Sequence, residues 1–256
     1  MVQVMPPERI VPPQWIVPQW EAPLRVRALS TTRHGGVSRG KYAGFKVGVA
    51  VGDDPAQVAA NRAQLRALLP GEPFWLKQVH GTRVAEAGST QADAEPVEAD
   101  ASVTRSPGTV LVIQAADCMP VLLAARSGDV IAAAHAGWRG LAAGVIENVV
   151  AAMGVAPGEI AAWLGPAIGG AAYEVGQDVH DAFASHDPAA ALAFTARGGS
   201  KYFVDLYALA RQRLAGLGVT SVHGGNWCTH GDAERFYSYR RDGVTGRMAT
   251  LIWLER

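Results

Sequence analysis

The sequence predicts an α/β fold in which one layered domain carries most of the chain. Its apolar runs at residues 110–113 and 130–134 have the composition of fully buried strands. They alternate with amphipathic segments such as residues 140–153, and this alternation favours stacked layers of sheet and helix. The chain has 256 residues, of which 49% are hydrophobic and 18% are charged, so it can bury a sizeable core.

A proline-rich arm over residues 1–23 precedes the domain, which we expect to span residues 24–256. We expect Trp15 and Trp20 to pin this arm to the body of the protein. The arm has no cationic start followed by a long apolar stretch, so it does not have the pattern of a signal peptide.

The elements are expected in a regular order along the chain. Residues 24–30 alternate like a strand, and Asp54 can cap a helix that has Pro55 in its first turn and runs to about residue 69. No G-x-G-x-x-G motif follows a strand and there is no P-loop, so a simple Rossmann unit is not predicted. The patterns favour further strands at 74–79, 110–113, 121–123, 130–134, 160–164, 219–223, 236–239 and 249–253, and helices at 140–153, 176–184 and 204–217.

The balance of charges restricts the kinds of binding partner that we expect, and the two cysteines bear on the cellular compartment. The 23 basic and 23 acidic residues cancel, and no basic block or basic amphipathic stretch indicates nucleic acid or a membrane. No apolar run approaches the ~20 residues that span a bilayer. Cys118 and Cys228 lie in different segments, and without an export signal they are expected to be free thiols or metal ligands. We therefore expect a cytoplasmic protein with a small or neutral partner.

One thiol and two imidazoles are the leading candidates for chemistry. They are His80 in Lys-Gln-Val-His-Gly, Cys118 in Ala-Asp-Cys-Met-Pro and His135 in His-Ala-Gly-Trp-Arg-Gly. Cys118 and His135 each follow a strand-like run, where functional groups of α/β sheets commonly gather. Taken alone, each has an ordinary structural interpretation, since a buried cysteine is most often inert.

Two mechanisms are open for this trio. Two histidines and one cysteine can fill three corners of a zinc tetrahedron and leave the fourth open for water or substrate. The same residues can form a cysteine nucleophile whose thiol pKa is lowered by a histidine. The long separations in sequence match no local zinc finger, so spacing alone does not decide.

The ordered motifs resemble the YfiH or laccase-domain family, also called DUF152 and the multicopper polyphenol oxidase family. The resemblance runs from about Thr31 to Trp253. Besides the three segments above, it rests on Thr-Arg-His-Gly-Gly-Val-Ser from position 32, Val-Gly-Asp-Asp from 51, Trp-Leu-Gly-Pro-Ala-Ile-Gly from 163 and Phe-Tyr-Ser-Tyr-Arg-Arg-Asp from 236.

This resemblance implies a single compact layered sandwich of mixed β-sheets flanked by helices, distantly like the catalytic domain of cytotoxic necrotizing factor. It also implies zinc at His80, Cys118 and His135, with these residues catalytic. The implied chemistry is phosphorolysis of adenosine, inosine or methylthioadenosine, together with deamination of adenosine. Arg33 and Arg139 are then candidates for phosphate binding.

Three further positions are expected to contact substrate. Gln78 lies beside His80, and Asp117, which precedes Cys118, could instead orient a histidine or fix the turn. Lys46 and Ala50 stand where the family commonly has Asn and His. The Asn is linked with the substrate pocket, so the departure at Lys46 bears on substrate range or on activity itself.

Other functions stay open from the sequence. Copper chemistry on phenols would use Met119 as a weak axial ligand, although seven scattered histidines are few for a multicopper oxidase. A cysteine hydrolase or peptidoglycan-editing factor, and a member without catalysis, are further alternatives. Cys228 and His230 could form a second metal pair, and only one of Arg240 and Arg241 is expected to point inward.

Overall fold

Fifteen strands and six α-helices form the part of the chain that the computed structural model describes, residues 11–88 and 95–255. The strands are β1 Val26–Ser30, β2 Pro73–Phe74, β3 Leu76–Lys77, β4 Val84–Glu86, β5 Val97–Glu98, β6 Ala101–Thr104, β7 Val110–Ala115, β8 Met119–Ala125, β9 Ile131–Ala136, β10 Ile160–Leu164, β11 Glu174–Gly176, β12 Phe194–Gly198, β13 Lys201–Val204, β14 Ser221–Gly224 and β15 Met248–Leu254. The helices are α1 Pro55–Ala67, α2 Trp138–Ala143, α3 Val145–Met153, α4 Gln177–Ala184, α5 Leu206–Leu217 and α6 Tyr239–Asp242.

Two mixed sheets make the framework. One has the order β1-β15-β7-β2 and the other β14-β10-β8-β9-β6-β4. Both are antiparallel at the centre and end on parallel pairs, β2 with β7 in the first sheet and β10 with β14 and β4 with β6 in the second. The predicted mixed sheets are therefore confirmed.

The core lies on both faces of the six-stranded sheet. On β8, Leu122 and Ala124 join a cluster with residues of β7 and β15, such as Ile113. The alternate residues Val121 and Leu123 pack among the helices instead. This period of two places one face against the other sheet and one against helices, since successive strand side chains point to opposite faces.

The outer face of the four-stranded sheet is covered by α1 and by the N-terminal arm. Leu65 of α1 and Trp15 of the arm belong to one buried cluster with Leu251 of β15. Trp15 meets the ring of Phe45 edge-on with centroids 4.8 Å apart, so this tryptophan pins the arm as expected. Residues 1–10 of the arm lie outside the described part of the chain.

Capping residues set the helix boundaries. Asp54 accepts a 2.8 Å hydrogen bond from the N–H of Ala56 and so caps α1, as predicted. The helix predicted at residues 140–153 is instead two helices, α2 and α3, because Gly144 has φ of 98° and breaks the helix between them.

The strand predicted at residues 236–239 is wrong. Phe236 and Tyr237 are both fully buried, which the alternation of a half-exposed strand does not allow. Ser238 then accepts a hydrogen bond from the N–H of Arg241 at 3.2 Å and caps the short helix α6. No helix among the described residues is long and apolar enough to cross a membrane.

Candidate active site

His80 lies in a tight turn just after β3. Its φ of 62° is unusual for a residue that is not glycine. Asp100, which immediately precedes β6, stabilises the turn by accepting backbone N–H bonds from Val79, His80 and Gly81 at 3.1, 2.9 and 2.7 Å. The side chain of His80 is exposed, so it is presented to solvent rather than to the core.

Asp100 also holds the second histidine. Its Oδ1 atom lies 2.9 Å from Nδ1 of His135, and both side chains are buried. Burial raises the pKa of Asp100, but the hydrogen bonds with His135 and with the N–H groups of Gly81 and Val79 outweigh it and bring the pKa below its ordinary value. One ionised carboxylate thus connects the turn of His80 with strand β9.

Cys118 stands between β7 and β8, directly after a residue with positive φ. Asp117 has φ of 94°, and its carboxylate accepts hydrogen bonds from the hydroxyl of Thr229 at 2.6 Å and from the N–H of Arg240 at 2.7 Å. These bonds fix the turn that presents Cys118. On the next strand, His135 pairs in register with Pro120, which brings it beside the cysteine.

The three side chains meet at one point. Donor atoms of His80, Cys118 and His135 all lie within 4.8 Å of one another, and Sγ of Cys118 is 3.7 Å from Nε2 of His80. The two imidazole rings meet edge-on with centroids 4.8 Å apart. Space for this cluster depends on Gly137, because a Cβ atom there would lie 2.8 Å from Sγ of Cys118 and 3.1 Å from the ring of His80.

The cluster couples a thiol and an imidazole electrostatically. Burial raises the pKa of Cys118, but the positive charge of His135 and hydrogen bonds from both histidines outweigh it and lower the pKa to about 6. Burial lowers the pKa of His135, yet the charge of Cys118 and the hydrogen bond to Asp100 raise it to about 9. Without a bound cation, these opposite pKa shifts favour the thiolate–imidazolium form of the pair.

The donor set fits a metal ion. Two imidazole nitrogens and one thiolate are a ligand set that zinc prefers, and a tetrahedral zinc ion keeps a nitrogen and a sulfur ligand about 3.5 Å apart. The observed Sγ to Nε2 separation of 3.7 Å is close to that value. Because Nδ1 of His135 is used by Asp100, its Nε2 is the atom left for a metal.

The cluster opens into a cavity of about 1120 Å³. Three arginines, Arg139, Arg240 and Arg247, line it, and none of them forms an ion pair with a carboxylate within the described residues. Residues 48–51 form another part of the wall, together with apolar side chains such as Ile168. The cavity is large enough for a ligand of nucleoside size together with an anion.

The predicted substrate-binding residues divide into two groups. Arg139, Asp117 and Gln78 line the cavity. Arg33 and Lys46 do not line it. Arg33 donates to the carbonyls of Ala233 and Ala43 and lies 4.9 Å from the centroid of the Tyr237 ring, so its guanidinium ties loops together.

Lys46 is fully buried beneath the wall formed by residues 48–51. Its ammonium donates to the carbonyls of Gly48 at 2.6 Å and Gly52 at 2.5 Å, and it lies 3.9 Å from a carboxylate oxygen of Asp53. Burial lowers the pKa of Lys46, and the charge of Asp53 opposes that change. The position that departs from the family pattern thus anchors the loop.

Cys228 and Arg241 belong to the scaffold. The sulfur of Cys228 accepts from the N–H groups of Gly169 at 3.2 Å and Gly231 at 3.3 Å. The one group of His, Cys, Asp and Glu donors in the described chain that could hold a metal does not include Cys228 or His230. Arg241 donates to the carbonyls of Thr229, His230 and Phe236, whereas Arg240 lines the cavity, so one of the two arginines points inward as expected.

Sequence reasoning missed Asp100, Gln114 and Arg247. Asp100 is a carboxylate directly before a buried strand, which is the only signal that could have revealed it. Gln114 interrupts the apolar run of β7, and a polar residue in an otherwise buried strand is a signal for a site. Arg247 precedes β15 without any pattern in the sequence.

An α/β sandwich whose cavity contains a cluster of two histidines and one cysteine defines a protein with a potential mononuclear metal or thiol centre. The chain belongs to the family described as multi-copper polyphenol oxidoreductase laccase, whose model matches residues 27–255. The resemblance noted in the sequence is therefore confirmed.

Relatives from two bacteria support this placement. The chain is 49% identical over 242 residues to a purine nucleoside phosphorylase of Pseudomonas aeruginosa, covering 94% of this chain and 98% of the relative. It is 50% identical over 242 residues to the purine nucleoside phosphorylase YfiH of Escherichia coli, covering 93% and 98%.

Solved structures show the same fold. A DUF152 protein of Neisseria meningitidis superposes with a TM-score of 0.90 at 48% identity, covering 95% of this chain and all of that one. YlmD from Geobacillus stearothermophilus superposes with a TM-score of 0.86 at 32% identity, covering 91% and 93%.

Proposed function

We propose that this chain is a purine nucleoside phosphorylase that cleaves adenosine, inosine or methylthioadenosine. The observation that carries the proposal is a His–Cys–His cluster that opens into a cavity lined by three arginines, none of which forms an ion pair within the described part of the chain. The names of relatives at about half identity support the same reaction.

The reaction needs an anion and a neutral nucleoside side by side. An oxygen of phosphate forms a bond to C1′ of the ribose while the bond from C1′ to N9 of the purine breaks. The products are the free base, which takes the proton that phosphate carried, and ribose 1-phosphate, or 5-methylthioribose 1-phosphate when methylthioadenosine is cleaved. Arg139 and Arg240 would bind the phosphate and hold it for attack, since guanidinium groups form strong charge-assisted hydrogen bonds with phosphate.

The cluster would hold zinc through nitrogen atoms of His80 and His135 and the sulfur of Cys118. When bound, the ion supplies a Lewis acid with an open position that polarises a substrate oxygen or a water molecule. Asp100 orients His135, and Asp117 orients the turn that carries Cys118. Deamination of adenosine would also need a proton shuttle, and exposed His80 could fill that role only while it is not a metal ligand.

Two other functions make different demands on the site. A blue-copper site would need a weak axial ligand, but Met119, the nearest methionine in sequence, is fully buried in the cluster that packs against the helices. A cysteine hydrolase is favoured by the contact of Cys118 with His80 at 3.7 Å, because the histidines of the cluster lower the pKa of the thiol and would make Cys118 a nucleophile in metal-free protein.

The test is product analysis with purified protein whose metal content is measured. Incubation with adenosine or inosine and phosphate is expected to yield the free base and ribose 1-phosphate in equal amounts, and omission of phosphate is expected to stop base release. Zinc at about one equivalent is expected. Phenol oxidation with bound copper and no base release would instead support the oxidase.

A further inference from the structure

Two glutamines, Gln78 and Gln114, line the cavity near the cluster, and their side chains serve different purposes. The side chain of Gln78 donates to the carbonyl of Gln114 at 2.8 Å and accepts from the N–H of Gln114 at 2.8 Å. Gln78 therefore uses its amide to hold the backbone at the end of β7. The backbone of Gln114 is further fixed by its register with Ala249 of β15.

The side-chain amide of Gln114 has no hydrogen bond to any residue in the described part of the chain. It is half-buried in the cavity wall, close to Gly48. A Cβ atom built on Gly48 would lie 3.3 Å from Oε1 of Gln114, so the absence of a side chain there leaves this oxygen uncovered. A ligand that covers such an amide removes its contact with solvent. This desolvation weakens binding unless polar atoms of the ligand form hydrogen bonds with the amide.

Arg247 is the other neighbour of Gly48 in this part of the cavity wall. The Cβ and Cγ atoms of Arg247 also approach Gly48, while its guanidinium donates to the carbonyls of Thr245 and Gly246. Because this guanidinium is engaged with backbone carbonyls, the phosphate is assigned to Arg139 and Arg240, and Gln114 is left for the neutral part of the ligand. A neutral ring edge that carries a donor or an acceptor fits the amide, because an amide can donate from one end and accept at the other.

We propose that Gln114 is a specificity-determining residue whose side-chain amide hydrogen-bonds the substituent at the 6-position of the purine. The proposal rests on the proposed function. The amide oxygen accepts from an amino group there, and after rotation of the amide its nitrogen donates to a keto group. One residue can therefore serve both adenosine and inosine.

The experiment compares Gln114→Leu with the wild type on adenosine, inosine and purine riboside, which lacks the 6-substituent. Loss of one hydrogen bond of about 1–2 kcal/mol corresponds to a decrease of roughly 5–30-fold in kcat/KM. We expect this decrease for adenosine and inosine, mainly as a higher KM, and a decrease of less than about 2-fold for purine riboside. Gln19→Leu removes an exposed amide on the arm and is the matched control.

The possible results distinguish a failure of the proposed Gln114 contact from a failure of the proposed phosphorylase function. An equal decrease in kcat/KM for all three nucleosides, or no decrease for any of them, overturns the contact between Gln114 and the 6-substituent. The proposed phosphorylase function stands in that case, because the wild-type protein still cleaves the nucleosides. A wild-type protein that cleaves none of the three nucleosides overturns the function and this inference with it.

Discussion

Nδ1 of His135 lies 2.9 Å from Oδ1 of Asp100, and the same carboxylate receives the N–H groups of the turn that carries His80. A single buried acid therefore orients both histidines of the cluster. This relationship makes Asp100 a positioning residue for metal binding, because partners that orient a ligating imidazole commonly change metal affinity by 10–100-fold.

Asp100→Asn is therefore expected to weaken zinc binding by about 10–100-fold. The amide keeps the shape of the carboxylate but loses its charge, and its NH₂ group cannot accept the N–H bonds of the turn. Competition with a chromogenic chelator measures the affinity. Asp178→Asn, an exposed acid at the start of α4, is the control, and unchanged affinity in Asp100→Asn would remove Asp100 from the metal site.

The acid dependence of stability follows from the same group. The pKa of Asp100 is lower in the folded protein than in the unfolded chain, so its contribution to stability is present above the unfolded pKa of about 3.9 and is lost as pH falls through the folded pKa. The difference in unfolding free energy between wild type and Asp100→Asn is thus expected to shrink below about pH 4. Urea unfolding at several pH values measures it, and a difference that grows toward acid pH would contradict the assignment.

Alkylation of metal-free protein tests the state of Cys118. Since the pKa of Cys118 lies at about 6, its reaction with iodoacetamide is expected to rise through that pH and then level off. The measurement uses Cys228→Ala, so that one thiol reacts, and zinc is expected to protect it. A midpoint above pH 8 would show that His135 does not stabilise the thiolate.

Cys118→Ala is expected to abolish nucleoside cleavage and zinc binding without unfolding the protein, because the thiol serves the cluster and alanine adds no bulk. Cys228→Ala is the matched control and is expected to keep at least about half of the activity, since that sulfur only accepts two backbone N–H bonds of modest strength. Circular dichroism checks the fold of both variants. Wild-type turnover in Cys118→Ala would place the centre elsewhere.

Arg139→Ala is expected to raise the KM for phosphate by about 10–150-fold and to leave the KM for nucleoside within about 2-fold, as expected for loss of a charge-assisted hydrogen bond of about 1.5–3 kcal/mol. The side chain is exposed and stacks on Trp138 at 4.5 Å, so its removal leaves the fold intact. Arg39→Ala, an exposed arginine away from the cavity, is the control. Equal effects on both substrates would argue against a phosphate contact.

The sequence was sufficient for most of the framework. The apolar runs that form β7, β8 and β9 are buried on both faces. Strands of this kind can be predicted from the sequence because they are almost continuously hydrophobic. Tyr237 shows the limit of this reasoning. Its full burial beside buried Phe236 reflects packing against other segments, which no local pattern records.

The site was less accessible to sequence reasoning. Cys118 and His135 were placed at strand ends by pattern, but their meeting with His80 was expected from family resemblance, since spacing did not decide it. Lys46 was expected to contact substrate because it stands where the family commonly has an Asn linked with the substrate pocket. Its burial depends on the carbonyls of Gly48 and Gly52 and on Asp53, and this arrangement exists only after the loop has folded.

Gly137 gives the cluster an unusual vulnerability. Gly137 has only a hydrogen atom on the side of its backbone that faces Cys118 and His80. Any other residue would place a carbon atom in that space. A substitution at Gly137 would change neither the metal-ligating residues nor the arginines that line the cavity. The Cβ atom that it adds would nevertheless lie 2.8 Å from Sγ of Cys118 and crowd the cluster. The new side chain would then act as a built-in inhibitor of the cluster. A sequence comparison restricted to the metal ligands would not reveal this loss of activity.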